Sequence, residues 1–368
     1  MTFNRFSQLT SLIKSSSLDA LAINPGSALT YLTGMRFHLM ERPTVLLIAP
    51  ASAPALILPE LEALKVHQSA ISLQAFAFSD NPASWQDAFN RAVHALGLDG
   101  KKIGVEPERL RFLELRFLET AAPKSTFVSA AEVFANLRMR KDETEITAMR
   151  KAVQIAQQAL IATLPVVKSG ISEREISSEL TIQLLRAGSD SEMPFSPIVS
   201  SGPNSANPHA SPSERRLAVG DLLVIDWGAS FGGYCSDLTR TFAIGEPASE
   251  YQHIAMAVMQ ANDAARAVAR PGIMAGDVDK AARVVIEQAG YGQYFTHRVG
   301  HGLGMEGHEP PYMFTENTLL LATGMTFTVE PGIYLPGRNG VRIEDNVVIT
   351  EKGAETLSDL PRELVRLE

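Results

Sequence analysis

Along its first third the chain alternates short apolar runs with turn-forming residues. "LDALAIN", "TVLLIAP", "ALILP" and "KKIGVEP" predict buried strands, because four to eight apolar residues bounded by turn formers suit a strand covered on both faces. "SWQDAFNRAVHALG" has the apolar spacing of an amphipathic helix. This mixture predicts an α/β domain. Around "NLRMRKDETEITAMRK" a basic stretch meets Asp142-x-x-Glu145, a capping-box pattern, ahead of a long helical periodicity. The boundary falls there, giving an N-terminal domain over 1–137 and a second domain over 138–368.

The second domain repeats itself. "KSGISEREISSELTIQLLRAG" and "RPGIMAGDVDKAARVVIEQAG" share Gly-Ile near the start and Ala-Gly at the end, with Gly170 and Gly272, and Gly188 and Gly290, each 102 positions apart. Long helical patterns over 143–168 and 249–270 precede the copies, and each half closes in a β-hairpin. In the first, "VIDWGASFGGYCSDLTRT", a turn centred between Phe231 and Gly232 sets Asp226 opposite Asp237. In the second, a turn at Gly337 within "PGRNG" sets Glu330 opposite Glu344. Like charges facing each other across strands destabilise a hairpin, so a cation is expected between them.

Composition narrows the functional classes. The balance of 45% hydrophobic and 20% charged residues over 368 residues fits a globular protein of two domains. A net charge of −8 without a Lys/Arg stripe argues against nucleic acid as a partner. No run reaches the roughly 20 apolar residues of a membrane span, and the amphipathic opening "MTFNRFSQLTSLIKSSSLDALAINPG" lacks a signal-peptide core, so the reading is cytoplasmic with no membrane partner. The single cysteine, Cys235, excludes an internal disulfide and a thiolate-rich zinc site, and reads as a packed strand residue.

Four converging carboxylates would carry about −4 at neutral pH, and two divalent cations balance that charge. His301, between Gly300 and Gly302 in "THRVGHGLGMEGHEPP", offers a fifth ligand, with the glycines expected to let the backbone pass close to a metal. Oxygen donors with one imidazole suit Mn²⁺ first, then Co²⁺ or Zn²⁺. Such a centre points to hydrolysis. His209, His297, His308 and Arg342 are the further candidates near the hairpins. His38, Glu41 and Arg42 could reach a substrate from a partner subunit, but a plain loop is the better reading.

"DWG", "SDLTRT", "HRVGHGLG", "VEPGIY" and "RIED" together resemble the pita-bread metallopeptidases, over about residues 140–368. "ALTYLTGMRFHLMERPTVLLI" looks like the N-terminal domain of the Xaa-Pro and creatinase branch. The resemblance implies an α+β protein, with a creatinase/prolidase-like α/β domain before a pseudo-twofold catalytic domain of antiparallel sheet and helices. It implies that Asp226 chelates one metal, that Asp237 and Glu344 bridge both, and that His301 and Glu330 complete the other, with Glu330 also the general base. His209 and His308 would assist at the scissile carbonyl, His297 would shape the proline pocket, and Arg342 would contact substrate. The implied activity is a homodimeric exopeptidase that cleaves Xaa-Pro dipeptides or short peptides by a metal-bridging hydroxide. The 14-residue interval from Glu330 to Glu344 leans toward the dipeptidase. A hydrolase of small amides or amidines on the same fold, or a silent binding protein, are the alternatives; complete ligands weigh against silence.

Overall fold

The computed structural model describes residues 2–368, with side chains from Arg5 onward, so Met1 of the amphipathic opening lies outside it. The chain divides into two compact units, Met1–Arg138 and Met139–Glu368. In the first unit β1 (Ala20–Ile23), β2 (Val45–Ile48), β3 (Ala55–Pro59), β4 (Gln74–Phe78), β5 (Lys102–Val105) and β6 (Thr126–Ser129) form one sheet in the order β4-β3-β2-β1-β5-β6. The four apolar runs read from the sequence are β1, β2, β3 and β5, and the first three of these are buried at every position. Helices α1 (Thr2–Ser15), α2 (Ser27–Thr33), α3 (Trp85–Leu96), α4 (Phe112–Ala121) and α5 (Ala131–Arg138) accompany the sheet. Phe89 and Ala92 of α3 share one buried core cluster with Ile57 and Ile103.

The second unit opens with α6 (Glu143–Thr163) and α7 (Glu173–Arg186), and its second half with α8 (Ser249–Val268) and α9 (Ala275–Gln288). The capping box at α6 is formed: Asp142 accepts from the Thr144 and Glu145 backbones, and Glu145 accepts from that of Asp142. The other oxygen of Glu145 takes the Tyr234 hydroxyl at 2.8 Å, so one cap also ties the helix to the tip of the first hairpin. The long helical patterns end earlier than their periodicity suggests, at Thr163 and Val268. Pro165 explains the first stop, since a proline cannot donate to the helix ladder.

The duplication is carried into the backbone. α7 and α9 begin and end 102 positions apart, and the glycines on either side of each all have positive φ, between 83° and 100°. At such φ a side chain would be strained, which is why glycine marks both ends of both copies. The first half contributes β7 (Ile198–Ser201), β8 (Leu222–Trp227), β9 (Ser230–Phe231), β10 (Tyr234–Cys235) and β11 (Leu238–Ile244). The second contributes β12 (Gly300–Gly302), β13 (Glu309–Met313), β14 (Thr326–Val329), β15 (Gly332–Tyr334), β16 (Gly340–Arg342), β17 (Asp345–Thr350), β18 (Gly353–Thr356) and β19 (Val365–Leu367). Two larger sheets result, β19-β11-β8-β7 and β13-β12-β14-β17-β18, beside the two-stranded pairs β10-β9 and β15-β16. The first is antiparallel except where β19 joins β11, and the second is antiparallel throughout. Trp227 of β8 is fully buried and donates its indole N–H to the Ala156 carbonyl of α6 at 2.8 Å, so sheet and helix lock together.

Candidate metal centre

The register of the two hairpins decides where the carboxylates go. In the first, the turn falls on Gly232 and Gly233, both at positive φ, one residue later than the expected centre. Asp226 therefore lies opposite Thr239, and Asp237 is its diagonal neighbour on the same face rather than its direct partner. The shift follows from turn chemistry, because two consecutive positive-φ glycines make the two-residue turn that matches strand twist. In the second hairpin the expected register holds on both sides of the Glu330–Glu344 level, with Gly332 opposite Arg342 and Val329 opposite Asp345. At that level Glu344 leaves the hairpin and bridges to Thr239, its backbone N–H donating to the Thr239 carbonyl at 3.0 Å. Thr239 thus joins the two halves. Asp226, Thr239 and Glu344 sit side by side across three strands.

Around that joint the ligand atoms converge. Within each of three overlapping groups the donor atoms lie within 4.8 Å of one another: Asp226, Asp237 and Glu344; His301, Glu330 and Glu344; and Asp237, His301 and His308. His301 Nε2 is 3.4 Å from Glu330 Oε1 and 3.6 Å from Asp237 Oδ2. All five predicted ligand residues are brought together. The glycines flanking His301 are required by close approach of neighbouring backbone. A Cβ on Gly300 would strike the Thr328 carbonyl, and one on Gly302 the Glu309–Pro310 backbone.

The electrostatics of this cluster call for cations. Burial first, then neighbouring carboxylates such as Glu344, raise the Asp237 carboxyl well above its ordinary range. Glu344 is raised well above it too, and burial pushes Glu330 up to about 7 against the lowering effect of Arg342. Asp226 Oδ1 is buried and has no hydrogen-bond partner, although its other oxygen takes Arg342 Nη2 at 2.6 Å. A buried carboxylate oxygen without a partner is costly, so its orientation toward this cluster fits a metal ligand. Four carboxylates and one imidazole, with two trios that share Glu344, are a donor set able to hold hard or borderline divalent metal. Burial holds His301 neutral, lowering it to about 3, which leaves a ring nitrogen available for coordination.

A cavity of about 500 Å³ opens over the cluster, lined also by Phe195, Ile198, Pro208, His209, His297, Arg298 and His308. His308 stacks on His301, ring centroids 3.6 Å apart, and burial lowers its pKa. His297 Nδ1 faces the Arg298 carbonyl at 2.8 Å, and its Nε2 faces the Tyr334 hydroxyl at 2.9 Å. A carbonyl only accepts, so Nδ1 carries the proton and Nε2 accepts from Tyr334. Burial lowers His297 to about 4, in keeping with this neutral form. Arg342, expected to contact substrate, lines the same cavity, but its guanidinium donates to Asp226, Thr239, Tyr334 and the Pro208 carbonyl.

Sequence reading missed the groups that hold these side chains. Thr239 Oγ1 donates to Glu344 Oε2 at 2.6 Å and accepts from Arg342. Strand alternation from Asp237 would have placed it on the ligand face. Asp279 of α9, fully buried, accepts from the Val299 N–H and from Arg283, which donates to the His297 and Phe295 carbonyls. Glu173 of α7 likewise accepts from Ser201, Asn204 and Ser213 in the loop that carries His209. Lys141 pairs with Glu309, next to His308, at 2.7 Å, with both side chains nearly inaccessible. These contacts join elements far apart in sequence, and no local pattern announces them.

Comparison with known proteins agrees with this geometry. Residues 147–351 match metallopeptidase family M24, and residues 5–140 match the creatinase/prolidase N-terminal domain. The chain is 39% identical to the protein named "Probable dipeptidase PepE" of Mycobacterium tuberculosis, over 95% of this chain and 92% of that one. Among solved structures it superimposes on a prolidase from Thermococcus sibiricus with a TM-score of 0.94 and 34% identity, covering 100% of this chain and 99% of that one. An Xaa-Pro dipeptidase from Bacillus anthracis gives a TM-score of 0.91 and 30% identity, with all of both chains covered. Matched over more than half its length and similar from end to end to dipeptidases and prolidases, the chain belongs to metallopeptidase family M24.

Proposed function

We propose that this enzyme is an exopeptidase specific for Xaa-Pro bonds, acting as a dipeptidase on proline-containing dipeptides, with a centre of two divalent ions, Mn²⁺ first among them. The observation that carries the reading is the meeting of Asp226, Asp237, His301, Glu330 and Glu344 on the floor of one cavity. Asp237 and Glu344 are assigned as shared ligands, Asp226 to one ion, and His301 with Glu330 to the other. When bound, the ions supply Lewis acidity toward the scissile carbonyl and lower the pKa of an attacking water.

The protein groups have separable tasks. Glu330, at the floor of the cavity, is placed to take a proton at its carboxylate from the attacking water and pass it to the leaving proline nitrogen. That nitrogen is tertiary in the substrate and must be protonated to leave, so a carboxyl able to carry a proton beside it is required. His308 and His209, lining the cavity, can donate hydrogen bonds to the carbonyl oxygen as it gains charge. His297 has both ring nitrogens engaged, so it acts as a wall. With Phe195, Ile198 and Pro208 it forms a surface for the proline ring that demands no amide N–H from substrate. Arg342 orients Asp226.

The test is hydrolysis by metal-reloaded protein of Ala-Pro against Ala-Ala and Ala-Pro-Pro. The reading expects Ala-Pro to be the best substrate by at least about tenfold, the scale of one well-matched pocket contact. Equal or faster cleavage of Ala-Ala would remove the proline specificity. Preference for Ala-Pro-Pro would make the enzyme an aminopeptidase.

A further inference from the structure

The two arginines that line the cavity are in opposite states. Arg342 is buried, with all three guanidinium nitrogens donating to protein oxygens. Arg298 is half-buried, and among the described residues its guanidinium has no hydrogen bond and no ion pair. Its fixed partner is the ring of Tyr312, whose centroid lies 4.3 Å from the guanidinium carbon. A guanidinium held over an aromatic face is oriented, yet its N–H edge stays free to meet a planar anion. Arg298 stands three residues before His301, at most about 10 Å of extended backbone. Its charge is felt at Glu330, but among the described residues no carboxylate of the cluster forms an ion pair with it.

We infer that Arg298 receives a carboxylate of the peptide substrate through paired N–H···O bonds, an inference that rests on the peptidase reading above. Charge and shape select this ligand, because the fork of an arginine matches a carboxylate in two parallel hydrogen bonds. In an Xaa-Pro dipeptide the free C-terminal carboxylate sits two bonds from the scissile nitrogen, and every dipeptide substrate carries it. An acidic side chain on the first residue is the other source. If the terminal carboxylate is the ligand, Arg298 limits substrate length, because a third residue replaces that carboxylate with an uncharged amide.

The test compares wild type, Arg298→Gln and Arg298→Lys, all loaded with Mn²⁺, on Ala-Pro, Ala-Pro amide, Asp-Pro and Asn-Pro. The inference expects Arg298→Gln to lower kcat/KM for Ala-Pro by about 10- to 100-fold, mainly through KM, while the amide changes by less than about twofold and Arg298→Lys lies between. Where the amide is cleaved too slowly to follow, its Ki against Ala-Pro is read instead. With the terminal carboxylate as ligand, Asp-Pro and Asn-Pro fall together with Ala-Pro; with the side chain as ligand, only Asp-Pro falls. A loss shared equally by all four compounds, or no loss in any, overturns the inference. If wild type cleaves none of them but does cleave Leu-Leu, the proline reading has failed by itself, and the same variants on Leu-Leu and its amide then decide the role of Arg298.

Discussion

Asp237, Glu344 and Glu330 are carboxyls that the folded chain holds partly against their own ionisation. Asp237 and Glu344 are buried and Glu330 largely so, and each has a pKa raised above its ordinary value, Glu330 to about 7. A raised folded-state pKa contributes stability below the unfolded value near 4 and loses it as pH rises through the folded value. The metal-free protein should therefore lose thermal stability from about pH 4.5 to 7, while protein with Mn²⁺ should hold steady, since the ions take the place of the protons. Melting curves in chelator and in excess Mn²⁺ across that range check this; a gain from metal that does not grow with pH would contradict it. The identities of these residues were legible because each follows or begins an apolar strand run, as Asp226 follows "LLVI". Their supports, Thr239, Tyr334 and Asp279, were not, because their value lies in partners more than 15 positions away or on another element.

The strands and turns fix how close those residues come. One misplaced turn centre in the first hairpin changed Asp226 and Asp237 from a direct pair to a diagonal one, and only the conformation of Gly232 and Gly233 revealed it. The second hairpin was read in register because Pro, Gly and Asn crowd around a single turn. Glycine also governs strand spacing at His301. Gly300 lets β12 pass over the Thr328 carbonyl of β14, two residues from Glu330. Gly300→Ala should push those strands apart and weaken metal binding by more than about tenfold, although no ligand is replaced; losses of 10- to 100-fold are usual when groups behind a metal ligand are disturbed. Metal content after dialysis against graded chelator measures it. Wild-type retention in the variant would show that the spacing is not critical.

Duplication shapes the second unit as a whole. Each half carries a helix pair and a hairpin, α7 and α9 lying 102 positions apart, and the halves meet through the Thr239–Glu344 bridge. The end of the chain fastens this joint from behind: Arg240 and Arg362 both bind the buried Asp345, and Arg240 also donates to the Leu360 and Pro361 carbonyls. Burial alone would raise Asp345, but Arg240 and Arg362 with the Ser358 hydroxyl outweigh it and bring it to about 2. A depressed pKa contributes stability that is present above the unfolded value and lost as pH falls through the folded one. Asp345→Asn should therefore cost about 2 kcal/mol of pH-dependent stability at neutral pH, with the gap to wild type closing between about pH 4 and 2 in urea titrations; a gap that stays constant would deny the linkage. The repeat was visible in sequence as paired glycines, whereas the strand order of the first unit was not, because which apolar runs pair depends on long-range packing. Among the described residues no helix is long and apolar enough to cross a membrane.

Anomalous diffraction from crystals grown with Mn²⁺ would locate the ions directly. Two peaks about 3.5–4 Å apart, one beside Asp226 and the other beside His301 and Glu330, with Asp237 and Glu344 between them, are the predicted result. A single peak, or peaks away from these five side chains, would contradict it.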